Sequence, residues 1–407
     1  PDPGIKIHLS HLSGDIKLRT ENLIENYEEA FAGHKYDTGN FQGFSAIIEI
    51  QPGSSVIEKE RPMRESIKTE LRPMFEQLLK ENIIKKADQS GPFLSNSHGV
   101  AKPDKAQHIS GKTDMYLLKQ EGVATNHSRL CLDLRNLNRY CVGRPKINLP
   151  SHRDLIHRFA NHHVTTIDLC SQYWAISTEY QCHHLTNFWY NKEVYSFTRL
   201  PMGYANSAFI AQTASELTYG QATMLKYLKH KGWKQGSIEW PFHDISEILI
   251  IYLDDLCLTT EKKYENAHQV HLNALEFILF ATKLYGFKIG KSKFNPWVTC
   301  FKFLGHYFDI SKSTNSIPPD RLKAFKEFRS PASCAETLSR LGVLSYYRKY
   351  VPLLSVLAAP LNSMALTGNF KWNKVHQLAW KTILFIASMG FELHDIDKHK
   401  PIYYCTD

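Results

Sequence analysis

The chain has 407 residues, of which 43% are hydrophobic and 22% charged, a globular composition that is too long for one small core and indicates several subdomains. A formal charge of +9 favours a polyanionic partner, although many basic proteins bind no nucleic acid. No run of about 18 apolar residues occurs, so the sequence gives no transmembrane span and no membrane partner is expected.

The cysteines and the first residue indicate the cellular context. The eight cysteines form no Cys-x-x-Cys pair, which argues against a zinc ribbon and a disulfide scaffold and indicates a reducing compartment. The chain begins with Pro1 rather than Met and shows no signal peptide. This start predicts a piece excised from a longer polyprotein.

Hydrophobic periodicity predicts the elements of the first third of the chain. These are a short amphipathic helix over 23–31, a strand over 47–50, a longer helix over 67–83, and strands over 95–105 and 129–135. The stretch 107–127 between the last two strands contains Gly, Ser and Thr and is predicted to be a loop insertion.

Three later segments end in acids or in a Pro-Gly break. A β-branched run over 164–167 ends at Asp168, and Leu-Pro-Met-Gly at 200–203 precedes a helical pattern over 208–217. The run 248–253 reaches Asp254 and Asp255 and is followed by a second apolar run, which predicts strand, tight turn and strand.

The adjacent Asp254 and Asp255 repel each other and would be costly to bury, and a divalent cation with oxygen ligands resolves both problems. An ordinary polar hairpin turn, in which Asp bonds the local backbone, is the alternative for this pair taken alone.

In this order, the strand ending at Asp168, the Leu-Pro-Met-Gly segment with Asn206 and Ser207, and Tyr-Leu-Asp-Asp at 252–255 resemble the palm of a gypsy-type retroelement reverse transcriptase. The resemblance implies an α+β right-hand polymerase fold with fingers, a palm built on an antiparallel sheet, and a helical thumb. The implied segments are an N-terminal extension over 1–60, part of the fingers over 61–160, the palm with the remaining fingers strands and an insertion near 220–245 over 161–312, the thumb over 313–375, and a connection with the first ribonuclease H strand over 376–407.

The implied activity is RNA-directed DNA polymerisation by two-metal nucleotidyl transfer, as part of a Pol polyprotein. Asp168, Asp254 and Asp255 are the implied catalytic residues and ligands of two Mg²⁺ ions, with Mn²⁺ as the alternative ion. The implied partners are an RNA template, a DNA primer strand, RNA–DNA hybrid and deoxynucleoside triphosphates, with a homodimer or heterodimer as the assembly. The implied location is a cytoplasmic virus-like particle with access to the nucleus.

The resemblance also implies nucleotide-binding residues, namely Lys102, Arg129, Tyr173, Met202, Gly203 and Lys293. Lys102 and Arg129 match triphosphate contacts, where a point charge and a planar fork suit phosphate oxygens; without the palm motifs they would be solvated surface cations. Tyr173 matches the aromatic that excludes a 2′-hydroxyl, with a core aromatic as the alternative. Met202 departs from the Gln usual in retroviruses, and Lys293 matches a lysine sometimes assigned as the acid for pyrophosphate.

The C-terminal third resembles the remaining parts of that family. Phe303, Leu304, Gly305 and His306 resemble the hairpin that binds the primer end, and helical patterns over 318–325 and 338–352 resemble the thumb. Residues 401–407 resemble the first strand of a ribonuclease H domain cut at its first acid, so no nuclease activity is expected.

Three alternatives stay open at this stage. Basic and aromatic residues over 226–234 suit single-stranded nucleic acid, but a solvated insertion is favoured as the explanation. The chain as a whole could be a catalytically inactive nucleic-acid-binding or structural subunit, against which the intact three Asp residues count. It could also be a domesticated polymerase derived from such an element.

Overall fold

The structure is a computed structural model that describes residues 7, 9–34, 36–102, 127–150 and 158–394. These residues form two units. The first contains the described residues up to 150 together with 161–298, and the second contains 158–160 and 299–394. The segment 299–312, expected within the palm, is grouped with the helices that follow it.

The first unit contains both α-helices and β-strands. Its α-helices are α1 (Gly14–Asn26), α2 (Glu65–Lys80), α3 (Arg135–Tyr140), α4 (Gln172–Ala175), α5 (Ser207–Tyr219), α6 (Gln221–Lys231) and α7 (Ala267–Tyr285). Its strands are β1 (Val56–Ile57), β2 (Ile84–Lys86), β3 (Phe93–Lys102), β4 (His127–Leu132), β5 (His162–Asp168), β6 (Asn187–Tyr190), β7 (Glu193–Phe197), β8 (Leu249–Tyr252) and β9 (Asp255–Glu261). Short 3₁₀ turns lie at Glu28–Ala30, Tyr180–Thr186, Ile245–Glu247 and Lys291–Lys293.

Two sheets organise the first unit. One is antiparallel, with strand order β5–β9–β8, and the long helix α7 packs against it. The other has the order β1–β3–β6–β7–β2, with β4 paired to β3. The helix predicted after the Leu-Pro-Met-Gly segment and the strand–turn–strand predicted around Asp254 are both confirmed.

The N-terminal segment differs from its predicted elements. The helix lies at Gly14–Asn26 rather than 23–31, and in place of a strand over 47–50 there are isolated bridges at Ala46 and Ile50. Packing of the segment onto the end of α7 explains the irregular path. The Asn40 amide donates to the Gly286 carbonyl at 2.8 Å. Gly286 has φ +75°, and a Cβ there would collide with the carbonyl of Asn40, so the close packing requires glycine.

The basic and aromatic segment 226–234 is not a solvated insertion, so that prediction is wrong. Tyr227 is fully buried, as is the nearby Trp240, and the Tyr227 hydroxyl donates to Glu276 at 3.2 Å. Residues 226–231 form the second half of the amphipathic helix α6, whose basic residues are exposed or partly exposed while Tyr227 enters the core. Because the Tyr227 ring is buried, it is not available to stack on bases.

A histidine cluster lies beneath β5. The rings of His163 and His268 are 4.7 Å apart, and His271 is fully buried with both ring nitrogens 2.8 Å from the hydroxyls of Thr165 and Thr260. Burial, together with positive charge on His268, lowers the pKa of His163 to about 4. Burial also lowers the pKa of His271 well below its usual value. The fold therefore holds both imidazoles neutral.

Acidification is expected to weaken this unit through His163. In the unfolded chain a histidine titrates near about 6.5, so below that pH the unfolded state binds a proton that the folded state does not. The contribution of neutral His163 to the free energy of unfolding is complete above about pH 6.5 and is lost as the pH falls towards about 4. Because the ring is only partly buried, the loss is less than the limit of about 1.4 kcal/mol per pH unit. Urea unfolding of wild type and His163→Gln between these pH values measures it.

The advantage of wild type over His163→Gln in free energy of unfolding should shrink as the pH falls, because carboxylates titrate alike in both proteins. His243→Gln, on an exposed loop, is the matched control and should keep a constant difference from wild type. A constant difference for His163→Gln as well would contradict the prediction.

The second unit combines a small sheet with a helical bundle. Its antiparallel strands, in the order β10–β11–β12–β13, are β10 (Cys300–Phe303), β11 (His306–Asp309), β12 (Thr314–Ser316) and β13 (Leu393–His394). Its helices are α8 (Pro319–Glu327), α9 (Cys334–Tyr346), a 3₁₀ turn at Arg348–Tyr350, α10 (Leu354–Leu366) and α11 (Lys374–Ser388). Phe325, Leu344, Trp380 and Ile383 form the centre of its core.

Two sequence predictions concern the C-terminal strand and membrane-spanning helices. The expected ribonuclease H strand at 401–407 lies outside the described residues. Of the helices in the described ranges, none combines the length and the apolar character that crossing a bilayer requires.

Candidate active site

The turn between β8 and β9 carries two of the three predicted acids. Tyr252 and Asp255 form the closing pair of the hairpin, so Leu253 and Asp254 are its two turn residues. Leu253 has φ +56°, a left-handed conformation that Gly usually supplies at the first position of such turns and that is unusual for a bulky side chain. Strain of this kind persists only where the surroundings hold it.

Asp168 reaches this turn because β5 pairs with β9. Asp168 lies directly opposite Asp255 in the antiparallel ladder, and side chains of opposite residues share one face of the sheet. The amide of Leu169 donates to the Asp254 carbonyl at 2.9 Å, which ties the end of β5 to the turn. The structure therefore brings Asp168, Asp254 and Asp255 together at one end of the sheet.

The neighbouring carboxylates perturb Asp255. Burial, followed by the negative charges of Asp254 and Asp168, raises the pKa of Asp255 to about 6, and Lys293 opposes that rise. The sequence predicts both causes of the raised pKa, because burial and neighbouring negative charges each disfavour the ionised carboxylate. A nearby cation relieves this repulsion.

Lys293 supplies a positive charge at Asp168. Its Nζ lies 2.5 Å from Asp168 Oδ2, although the lysine side chain is largely exposed. The segment 288–298 pairs with the edge of β5 that faces away from β9. There the amide of Gly290 donates to the Asp168 carbonyl at 3.1 Å, and the amide of Cys170 donates to the Lys288 carbonyl at 2.7 Å. This pairing, together with the turn at Lys291–Lys293, accounts for the position of the lysine.

Three buried polar side chains hold the turn, and sequence reasoning missed all of them. Gln212 on α5 accepts from the Leu253 amide at 2.8 Å, and Ser215 donates to the Leu253 carbonyl at 3.0 Å. Gln172 on α4 donates to Ser215 at 2.5 Å. Gln212 and Ser215 lie one helical turn apart among buried apolar residues, and that interruption of the apolar face was the available signal.

The Met202–Gly203 pair lies on the loop that leads into α5. Met202 is 45% exposed, and Gly203 has φ +92° with open space where a Cβ would stand. Asn138 on α3 holds this loop, because its amide group donates to the Gly203 carbonyl and accepts from the Ala205 amide, both at 2.8 Å. Asn138 is a further positioning residue that sequence reasoning did not identify.

Tyr173 lies on α4, a helix that begins directly after Ser171, whose φ is +46°. It is partly buried and packs against two hydrophobic clusters of the first unit, one that includes Leu275 and one that includes Phe188. Burial raises the pKa of Tyr173, and the negative charge of Asp254 raises it further. The phenol therefore lies within electrostatic reach of the turn that carries Asp254.

Lys102 and Arg129 are described by their backbone alone. In the β3–β4 ladder, Val100 lies opposite Arg129 and Lys102 opposite His127, so the two basic residues belong to paired strands as predicted. Their side chains, and the stretch 107–126 of the expected loop insertion, lie outside the described residues.

The predicted primer-binding residues form the β10–β11 hairpin of the second unit. Phe303 and His306 are its closing pair, and their side chains are buried within that unit. Leu304 and Gly305 are the turn residues, and Gly305 is exposed. A ligand on this hairpin can therefore contact its turn, whereas Phe303 and His306 support the turn from within.

The donor set at Asp168, Asp254 and Asp255 fits a divalent cation, because carboxylate oxygens are the ligands that Mg²⁺ and Mn²⁺ prefer. Lys293 Nζ bonds one of the Asp168 oxygens that a metal would use. Among the described residues, no group of three or more His, Cys, Asp or Glu side chains is arranged so that it could hold a metal ion. The three acids thus supply negative charge and oxygen donors, but in this arrangement they do not form a metal site by themselves.

Comparisons with known proteins agree with this architecture. Residues 117–308 match the family model of reverse transcriptase (RNA-dependent DNA polymerase). The chain is 22% identical over 371 residues, 91% of its length, to the Pro-Pol polyprotein of simian foamy virus type 3. It is 23% identical over 267 residues, 65% of its length, to the Retrovirus-related Pol polyprotein from transposon gypsy of Drosophila melanogaster.

Solved structures give the fold. The foamy viral protease-reverse transcriptase in complex with double-stranded DNA matches with a TM-score of 0.73 at 20% identity, over 95% of this chain and 60% of that one. The same kind of protein in complex with RNA/DNA hybrid matches with a TM-score of 0.69 at 20% identity, over 96% of this chain and 46% of that one. The predicted α+β right-hand polymerase fold is therefore confirmed.

The chain spans only part of these relatives. It covers 27% of the foamy virus polyprotein and 23% of the gypsy polyprotein.

Proposed function

We propose that this chain, which carries the reverse transcriptase domain of a retroelement Pol polyprotein, copies an RNA or DNA template into DNA by nucleotidyl transfer. The observation that carries the proposal is the meeting of Asp168, Asp254 and Asp255 at one end of the β5–β9–β8 sheet. Two strands distant in sequence are aligned so that their acids share a face, which a polar surface hairpin does not need.

Asp168, Asp254 and Asp255 would hold Mg²⁺ or Mn²⁺ through their carboxylate oxygens. When bound, such ions supply a lowered pKa for the primer 3′-hydroxyl and charge neutralisation for the triphosphate. The remaining contribution of the chain is positioning, which together with charge stabilisation provides most of the catalysis of phosphoryl transfer. Gln212 and Ser215 fix the turn, and the β5–β9 register fixes Asp168 against it.

The incoming deoxynucleotide would lie against Tyr173 and the Met202–Gly203 loop, with Lys102 and Arg129 on its triphosphate. Gly203, with open space beside its backbone, permits close approach of a sugar or base. The Lys293 ammonium, which Asp168 retains beside the acids, can donate a proton to the leaving pyrophosphate oxygen.

Backbone phosphates of the template would be held by arginines around α3. Arg61, Arg135 and Arg139 line a cavity together with Glu58, Asp133 and Asn136. Arg135 donates from Nε to Asp133 Oδ1 at 2.7 Å and from Nη2 to Asp133 Oδ2 at 2.6 Å, so this carboxylate orients the guanidinium. Guanidinium groups present donors that match phosphate oxygens. Because phosphate contacts carry no sequence information, the template sequence would be read by base pairing rather than by side chains.

Primer extension on RNA and DNA templates, with Mg²⁺ and with Mn²⁺, tests the proposal directly. Extension with deoxynucleotides that depends on template and on metal supports it. Tight binding of primer–template without extension under either metal would instead identify a nucleic-acid-binding subunit derived from a polymerase.

Binding of hybrid duplex is expected to weaken steeply with salt, because a chain of formal charge +9 that makes phosphate contacts releases counterions. Affinity should fall at least about tenfold between roughly 50 and 200 mM salt, with little difference between two unrelated sequences of equal length. Fluorescence anisotropy across a salt series measures both.

If Arg139 contacts a phosphate, Arg139→Gln should reduce the magnitude of the slope of log affinity against log salt by about 1, the value for one lost phosphate contact. Arg19→Gln is the matched control, since Arg19 is a partly exposed residue on α1 that pairs with Asp15. A flat salt dependence of the wild type, or a strong preference for one sequence, would contradict the phosphate-contact model.

A further inference from the structure

The turn of the β10–β11 hairpin is held by tyrosines from α9. Leu304 has φ +45° and Gly305 φ +75°, the pair of positive values that closes a two-residue hairpin of matching twist. The four register pairs from Cys300–Asp309 to Phe303–His306 complete the hairpin. The ladder therefore closes the hairpin, while Leu304 takes a left-handed conformation that is unusual for a bulky side chain.

Both turn carbonyls nevertheless accept hydrogen bonds from side chains. The Tyr346 hydroxyl donates to the Leu304 carbonyl at 2.6 Å, and the Tyr347 hydroxyl donates to the Gly305 carbonyl at 3.1 Å. Tyr346 is the last residue of α9 and Tyr347 is its C-cap, so one helix end reaches both carbonyls. We call Tyr346 and Tyr347 the tyrosine clasp.

The clasp fits the turn closely. A Cβ at Gly305 would come within 3.0 Å of the Tyr346 hydroxyl oxygen, and a positive φ already disfavours any other residue there. Tyr347 is buried, and burial raises the pKa of its phenol, whereas Tyr346 remains 47% exposed. The exposed partner contributes less to the core than a buried tyrosine, while its hydroxyl makes the shorter bond.

A buried chain of hydrogen bonds supports the same hairpin from below. His306 is 4% exposed, and its Nδ1 lies 2.8 Å from the Tyr350 hydroxyl, which in turn donates to Asn315 Oδ1 at 2.9 Å. Asn315 on β12 donates to the Leu393 carbonyl at 3.2 Å. The base of the hairpin is thus fixed in the core, and the clasp fixes its turn.

We propose that Tyr346 and Tyr347 are positioning residues that fix the Leu304–Gly305 turn so that its backbone holds the primer 3′ end in register. The inference rests on the proposed function, in which this turn contacts the primer. Since four ladder pairs close the hairpin and Tyr350 and Asn315 fix its base, the clasp bonds determine where the turn stands on α9 rather than whether the hairpin forms. Their loss would leave the unit folded and the primer end misaligned.

The test is pre-steady-state extension by the Tyr346→Phe/Tyr347→Phe double variant on a preformed primer–template complex. The burst amplitude reports the fraction of competent complexes, and the burst rate reports how well each one is aligned. The amplitude should stay near that of wild type, while the rate should fall by about tenfold, the order expected for two lost hydrogen bonds. Tyr180→Phe, which removes one exposed hydroxyl bond to Asp88, is the matched control and should change neither.

An unchanged burst rate would overturn the clasp, and so would a loss confined to the amplitude, because a merely structural role lowers the number of competent complexes and not their rate. The wild type in the same assay reports on the proposed function separately. A wild-type chain that extends no primer would overturn the proposed function and the clasp with it, whereas wild-type extension with an unaffected variant overturns the clasp alone.

Discussion

Asp254→Asn is expected to abolish primer extension while leaving primer–template binding largely intact. Asn keeps the size of the side chain and the backbone bond from the Leu169 amide, but it removes the negative charge that would hold a metal ion. A metal supplies several kcal/mol of charge stabilisation, and 1.4 kcal/mol corresponds to about tenfold in rate, so the loss should reach roughly 10³-fold or more. Single-turnover extension and anisotropy on the same primer–template measure the two quantities.

Asp88→Asn is the matched control, because Asp88 is exposed and pairs with Lys85 away from the sheet end that carries the acids. It should change neither rate nor affinity. If Asp254→Asn kept its extension rate within about tenfold of wild type, Asp254 would not be a metal ligand. If instead affinity fell as far as the rate, the residue would serve binding rather than chemistry.

The carboxylate constellation could be predicted from sequence because each part is local. Asp168 ends a β-branched run, and Asp254 and Asp255 stand between two apolar runs, so strand periodicity alone puts every acid at a strand end. Helix α7 (Ala267–Tyr285) is local in the same sense, since its long apolar stripe specifies the element. The strand pairing that joins the acids came only with the family resemblance.

The role of the residues that hold the site could not be predicted from sequence, because it depends on tertiary contacts, even where a polar interruption of an apolar helix face marks the residues themselves. Gln212, Ser215 and Asn138 act on backbone groups of loops that are distant in sequence. The amphipathic helix at 221–231 was misread for a related reason: its basic residues dominate the composition, while burial of Tyr227 decides its place. Composition does not report which face of a helix is covered.

The unusual conformation of Leu253 makes sense once its neighbours are considered. Gln212 accepts from its amide and Ser215 donates to its carbonyl, so helix α5 holds both backbone groups of a residue whose φ is +56°. A Gly at this position would relax the strain and also free the turn. The arrangement keeps Asp254 in one place through contacts that a flexible turn would lack.

Tyr173→Ala is expected to raise ribonucleotide incorporation relative to deoxynucleotide incorporation. Tyr173 follows Asp168 by one short turn onto α4, and Asp254 contributes to its raised pKa, so the ring stands near the turn that carries Asp254. A ring there would meet a 2′-hydroxyl but not a 2′-hydrogen. The measurement is the ratio of kcat/KM for the two sugars, which should shift at least about tenfold towards ribonucleotides.

Tyr173→Phe separates exclusion by shape from a role of the hydroxyl, because it keeps the ring and removes the oxygen. Under steric exclusion, Tyr173→Phe should keep the wild-type sugar ratio, and Tyr173→Val should behave like Tyr173→Ala. The clash with a 2′-hydroxyl cannot relax without displacing the triphosphate, which is why one ring can discriminate strongly. If the sugar ratio of Tyr173→Ala stays at the wild-type value while both activities fall together, the ring serves packing between the two hydrophobic clusters and the steric model is wrong.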